Sequence, residues 1–133
     1  RTGSGLLHMS STSWGGALST YDKTFGFDGK ELNSVFEYAI FGVTLDDAVA
    51  RLGLPTPHYM KIDVDGIEHL ILSGGSKVLN TVRSVLVEIS RDFREQSTLS
   101  KKYLEAAGLV LQGGNRQVQG LAGATTNQIW VRP

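Results

Sequence analysis

Residues 58–68 read His58-Tyr59-Met60-Lys61-Ile62-Asp63-Val64-Asp65-Gly66-Ile67-Glu68, and the fold turns on how this stretch divides. Its first seven residues, HYMKIDV, have the composition of a strand, and Asp65-Gly66 is a turn signal that ends it. Ile67 to Leu79 follows with helical spacing. Leu70, Ile71, Val78 and Leu79 point inward, and Gly74-Gly75 weakens the middle.

Working outward, the same alternation repeats. Ser84 to Ile89 (SVLVEI) is a nearly continuous apolar run, which suits a strand covered on both faces of a parallel sheet. Upstream, Val35 to Val43 (VFEYAIFGV) reads as a strand. Thr44 then caps a helix with Asp47 completing an approximate capping box; Leu45, Ala48, Val49 and Leu52 form its stripe. Gly53 ends that helix, and Pro55 and Pro57 block its continuation. Downstream come a helix over Thr98 to Ala107 with Leu99, Tyr103, Leu104 and Ala107 on one side, a C-cap at Gly108, and a strand over Leu109 to Leu111. A Gly- and Gln-rich loop over 113–123 precedes a last strand, Asn127 to Val131. From Val35 onward the order predicts an α/β fold: a parallel sheet flanked by helices, with the last two strands antiparallel because a loop joins them. Residues 1–34 are Gly-, Ser- and Thr-rich and form a loop and hairpin region; Leu6 to Met9 is a strand candidate and Ser10 to Gly16 a loop. That segment is a surface connection or hairpin arm on one reading, a substrate-facing loop on another.

A length of 133 residues predicts one domain, and 41% hydrophobic residues are enough to bury a core. Thirteen basic residues balance thirteen acidic ones, which argues against a generally basic nucleic-acid binder. No apolar run approaches the ~20 residues a membrane span requires. The absence of cysteine excludes disulfides, Cys-ligated zinc and a Cys nucleophile. The redox compartment is then open, with a lean to the cytoplasm, and Arg1-Thr2-Gly3-Ser4-Gly5 shows no signal-peptide pattern.

The strand over 58–64 delivers Lys61, Asp63, Asp65 and Glu68 to its carboxyl end, where open α/β sheets bind ligands. Clustered charge at a buried strand end either has a task or is mutually paired, and both readings stand. An EF-hand is rejected: with Gly66 sixth, Lys61 falls first and Leu72 twelfth, and neither is a ligand. A Mg²⁺-dependent phosphohydrolase of the haloacid-dehalogenase type would use Asp63 as nucleophile and Asp65 as acid, but Ile67 replaces its usual hydroxyl residue.

A third reading is a family resemblance. Four stretches carry it: Thr44-Leu45-Asp46-Asp47, Tyr59 to Glu68, Leu72-Ser73-Gly74-Gly75, and Val85-Leu86-Val87-Glu88-Ile89. Together they resemble the C-terminal half of FkbM-type methyltransferases, with Asp65 where that family usually has Glu, and Asn127 to Val131 resembles its last strand. The resemblance covers residues 35–133. It implies S-adenosylmethionine-dependent methyl transfer to a hydroxyl of a small-molecule, sugar or lipid acceptor. It also implies the C-terminal half of a Rossmann-like class I methyltransferase sheet, mostly parallel with an antiparallel last strand and helices on the faces.

The roles it implies are specific. Asp63 is the first choice for the acceptor, and with Gly66 for the cofactor. Asp65 and Glu68 follow as base, metal ligand or helix cap, and Lys61 orients or neutralises these acids. Glu88 lines the same cleft or forms a salt bridge with Arg91 or Lys61. His69 stands on the active-site rim or the surface, and Trp14 stacks on the acceptor from a loop. Trp130 belongs in the core; Arg91, Arg94 and Lys101-Lys102 form a solvated helix face. Oxygen ligands would suit Mg²⁺ at Asp63 and Asp65, but no metal is assigned. The family's glycine-rich cofactor loop has no counterpart here, since Gly3-x-Gly5 neither follows a strand nor opens a helix. The chain therefore reads as the second half of a domain, with the strand ending at Asp63 on an exposed sheet edge that invites pairing with another copy. The same edge supports a contrasting reading, a non-catalytic remnant that binds a partner.

Overall fold

The apolar run of residues 84–90 becomes the strand around which the core forms. The computed structural model describes residues 1–113 and 125–133 and contains two sheets. In the larger, β4 (Tyr59–Ile62), β5 (Ser84–Ser90), β6 (Val110–Gly113) and β7 (Thr125–Val131) lie in the order β4-β5-β7-β6. β4 and β5 are parallel, and β7 is antiparallel to both of its neighbours, β5 and β6. Val85, Val87 and Ile89 of β5 pack with Ile62, Leu72, Leu79, Leu104 and Trp130 in one buried cluster. Trp130 is in the core as its sequence predicts, and the last two strands are antiparallel.

The smaller sheet corrects an expectation. The strand predicted over 35–43 forms as β3 (Phe36–Gly42), but it does not join the parallel sheet. It pairs antiparallel with β1 (Gly3–Met9), from Gly3 opposite Gly42 to Met9 opposite Phe36, and β2 (Ser19–Tyr21) pairs with the other side of β1. Residues 22–35 turn the chain back so that β3 runs against β1. Five of the seven β3 residues are exposed, which a strand buried on both faces would not show. Among the described residues, β4 with β5 is the parallel pair.

The helices follow their capping signals. α1 (Leu45–Ala50) starts at Thr44, whose hydroxyl accepts the Asp47 N–H at 3.1 Å. The Asp47 carboxylate does not return to the Thr44 backbone; it accepts from the Thr2 hydroxyl at 2.5 Å, and the Thr44 N–H donates to that same hydroxyl at 3.1 Å. Thr2 thus stands in for half of the box and fastens β1 to α1. The helix predicted over 67–79 is two helices, α2 (Glu68–Ser73) and α3 (Ser76–Leu79), broken at Gly74-Gly75. A Cβ on Gly75 would stand 2.7 Å from Leu45 Cδ1, and one on Gly74 would stand 3.1 Å from Thr44 Cγ2. The break therefore admits the start of α1, and Asp46 completes the contact by accepting the Lys77 and Val78 N–H groups at 3.1 and 3.0 Å, capping α3. The Thr-Leu-Asp and Leu-x-Gly-Gly stretches, remote in sequence, are two sides of one joint. α4 (Arg94–Ala106) begins earlier than predicted, and its C-cap is Ala107, one residue before the predicted Gly108, whose φ is +76°. The Gly- and Gln-rich loop expected over 113–123 lies, after Gly113, outside the described residues. Among the described residues no helix is long and apolar enough to cross a membrane.

Candidate functional site

Register brings the acids together. Ile62 pairs with Val87 across the parallel β4–β5 ladder, so one step further Asp63 and Glu88 stand side by side at the carboxyl ends of both strands. Lys61 Nζ lies 2.8 Å from Asp63 Oδ2, with both side chains partly exposed. The Asp63 hydrogen bond raises the Lys61 pKa, helped by the charges of Asp63 and, less, Glu88. Burial pushes the Glu88 carboxyl up; a hydrogen bond with Thr125 opposes the shift, while the negative charges of Asp63 and Glu68 and a hydrogen bond with Asp63 reinforce it. Asp63 and Glu88 are thus neighbouring carboxyl groups, one paired with a lysine and the other with its pKa raised. Of the two partners considered for Glu88, Lys61 pairs with Asp63.

The turn that follows is held from two sides. Asp65 adopts φ +50°, a left-handed conformation uncommon for a non-glycine residue, and its carboxylate accepts the Leu18 N–H at 3.0 Å. Leu18 is itself left-handed, with φ +63°. Gly66 has φ +112°, and a Cβ there would stand 2.6 Å from the Gly26 carbonyl oxygen. The segment 18–27 therefore clasps the turn through Leu18 and Gly26-Phe27, and position 66 requires glycine both for its φ and for this close approach.

Glu68 is buried beneath the turn. Its Oε1 accepts the Val64 and Gly66 N–H groups at 3.1 and 3.4 Å, and its Oε2 accepts from Gln96 Nε2. Gln96 Oε1 in turn accepts the Ser90 N–H at 2.7 Å. One side-chain chain thus ties the β4–α2 turn to α4 and to the end of β5. Of the roles foreseen for Glu68, these contacts are of the capping kind.

The remaining candidates are dispersed. His69 is buried, not at the surface: its ring meets Phe93 edge-on at 5.7 Å, its Nδ1 has no partner among the described residues, and burial lowers its pKa against the opposing charges of Glu95 and Glu68. The helical stripe places His69 on the same buried face as Leu72, facing α4 and not the acids. Trp14 is fully exposed at the tip of a loop closed by the Ser10 hydroxyl on the Ala17 carbonyl at 3.0 Å. The structure joins that loop to the site at its base, through Leu18 and Asp65. Arg94, Lys101 and Lys102 are exposed on α4 as foreseen, whereas Arg91 precedes the helix and its Nε donates to the Thr126 hydroxyl at 3.2 Å.

Gln96, Thr125 and the Leu18 amide were not foreseen. Gln96 had one signal: with Ser100 and Leu104 it makes a buried stripe at helical spacing. Among the described residues no three His, Asp or Glu side chains gather as a metal-holding group. The carboxyl pair suits the positive end of a sulfonium cofactor. The glycines that precede α2 and α3 offer its nucleoside no room, because Gly26-Phe27 and Thr44-Leu45 already fill them.

Residues 7–113 match the Methyltransferase FkbM domain, a span that holds every helix described and stops short of β7. Comparison with curated proteins and with solved structures gave no match.

Proposed function

The chain belongs to the FkbM methyltransferase family, and from that premise we propose that it supplies the acceptor-activating side of an S-adenosylmethionine-dependent O-methyltransferase. The observation that carries the reading is the Asp63–Glu88 pair at the ends of adjacent parallel strands, with Lys61 on Asp63. S-adenosylmethionine supplies the methyl group as an electrophilic sulfonium. Asp63, held by Lys61, would accept the hydrogen bond of the acceptor hydroxyl and take its proton as the O–CH3 bond forms and the sulfonium's S–CH3 bond breaks. Glu88 stands beside it with its pKa raised by burial and by the neighbouring acids, so the pair can share the proton that Asp63 takes up. Asp65, Gly66 and Glu68 position the turn, and Trp14 reaches an acceptor from the loop above it. The acceptor is a hydroxyl of a small molecule, sugar or lipid, and the protein works in the cytoplasm.

The phosphohydrolase reading needs Asp63 and Asp65 to converge on one ion. Asp63 faces Lys61 and Asp65 faces the Leu18 amide, so the two carboxylates are committed in different directions.

The test is methyl transfer from radiolabelled S-adenosylmethionine to a panel of hydroxylated sugars and lipids, with calorimetric cofactor binding beside it. Asp63→Asn should lower kcat by about 10²-fold or more. An Asp63→Asn protein that turns over at the parent rate would sink the assignment.

A further inference from the structure

A hollow of about 640 Å³ lies between the three-stranded sheet and the helices, and it is separate from the acids just described. Ile67, Leu70 and Ile71 line it from the face of α2 opposite Glu68 and His69, and neither Asp63 nor Glu88 reaches it. Its volume falls in the range of small-molecule sites, which are mostly apolar with a few placed polar groups. Val43 and Leu45 extend the apolar wall.

Two features hold the hollow open. The Tyr21 ring lies flat on a glycine floor: a Cβ on Gly5 or on Gly42 would stand 2.6 Å from its phenol oxygen. Its hydroxyl donates to the Gly3 carbonyl at 3.0 Å, so the ring cannot swing into the space without losing that bond. On the far side the Thr2 hydroxyl fastens β1 to α1 through Asp47 and Thr44. The sheet and the helices are thus spaced by packing that is already made.

The charges in the lining are Arg1 and Lys23 against a single acid, Asp22. Lys23 makes no ion pair among the described residues. An ammonium group beside an aliphatic wall fits a ligand with an apolar tail and one anionic group. We propose that this hollow binds a carboxylate-headed amphiphile of medium chain length, its tail against Ile67, Leu70 and Ile71 and its head at Lys23. This site is distinct from the methyl-transfer centre and does not depend on that reading.

Calorimetric titration of hexanoate, octanoate and decanoate, below their micelle concentrations, tests it. The expected result is saturable binding of one ligand per chain, with affinity rising about fourfold per added methylene. Lys23→Glu should weaken decanoate binding about tenfold and leave decanol unaffected, since only the acid carries the charge. Ile71→Trp, which fills the hollow, should abolish binding while circular dichroism stays that of the parent. If Ile71→Trp does not fold, the chain-length series and the surface variant Lys23→Glu still decide. A flat chain-length series, decanoate and decanol equally sensitive to Lys23→Glu, or a folded Ile71→Trp protein that binds like the parent would each overturn the proposal. Loss of methyl transfer on Asp63→Asn with decanoate binding intact would separate the two sites.

Discussion

β5 reads Ser-Val-Leu-Val-Glu-Ile-Ser and β3 reads Phe-Glu-Tyr-Ala-Ile-Phe-Gly, two seven-residue strands of similar apolar content in sheets of opposite character. Val85 and Val87 of β5 are inaccessible to solvent, whereas Phe36 and Phe41 of β3 are 51% and 69% exposed. The difference comes from neighbours, not from composition. β5 lies between β4 and β7, with α2 and α4 packed against it. β3 is an edge strand with β1 as its partner, in a sheet whose outer residues meet solvent on both faces. An apolar run specifies a strand; the number of layers that close over it specifies a core. The same contrast separates the sites. The acids and the polar chain beneath them rest on the buried sheet, while the loop that bears Trp14 belongs to the exposed one.

The largest expected effect tests that contrast directly. Leu72 sits in the core at 1% exposure, and Leu72→Ala should cost about 3 kcal/mol through lost transfer energy and the cavity left behind. Phe41→Ala removes a larger side chain from a more exposed position and should change stability by about 0.5 kcal/mol or less. Urea unfolding of both variants measures the pair. Equal losses would mean that the three-stranded sheet is covered in solution, and the contrast between the sheets would collapse.

Much of this was legible in the residues. Asp65-Gly66, Gly53 and Gly108 marked element ends because a left-handed residue is locally encoded, and all three glycines have positive φ. The acids at the β4 and β5 ends were legible because strand, turn and helix punctuate Lys61 to Glu68 so clearly. Which sheet β3 joins was not legible, because pairing with β1 is a contact between residues such as Gly3 and Gly42 that no local pattern records. The burial of His69 was missed for a related reason: its cover, Phe93, comes from another element. Gln96 was passed over because a polar residue on a helix reads as solvated until a buried carboxylate is found opposite.

The next effect sharpens the comparison inside the buried half. Glu68 accepts from Val64, Gly66 and Gln96, and Gln96 accepts from Ser90, so the contacts fix which group donates and which accepts along the chain. Glu68→Gln turns an acceptor into an NH₂ that faces the Gln96 NH₂, and Gln96→Glu sets two carboxylates against each other. Each single change should cost about 2 kcal/mol, the scale of a lost charged hydrogen bond in a buried site. The double variant Glu68→Gln/Gln96→Glu restores every donor–acceptor match. The amide introduced at position 68 then donates to the carboxylate introduced at position 96, and that carboxylate still accepts from Ser90. The double variant should recover most of the loss. A double-mutant cycle measures the coupling, and simple additivity would show that the chain does not act as a unit.

The smallest effect is a pH slope, and it arises at the tip of the buried sheet. Burial, then the neighbouring acids, raise the Glu88 pKa above its ordinary 4.5. A folded-state pKa above the unfolded one means that the native protein binds the extra proton. That contribution to stability is full below pH 4.5 and is lost as pH rises through the folded value. His69 runs the other way: burial lowers its pKa from 6.5, so its stability contribution is present above that pH and is lost as the unfolded chain takes up the proton first. Glu88→Gln should therefore be more stable than the parent at neutral pH, with the advantage fading as pH falls towards 4.5. The acid-side decline below pH 6.5 set by His69 should remain. Thermal unfolding of parent and variant from pH 4 to pH 8 reads both slopes. If Glu88→Gln leaves the profile unchanged, burial at the strand tip does not raise the Glu88 pKa, and the proton-sharing role proposed for it falls.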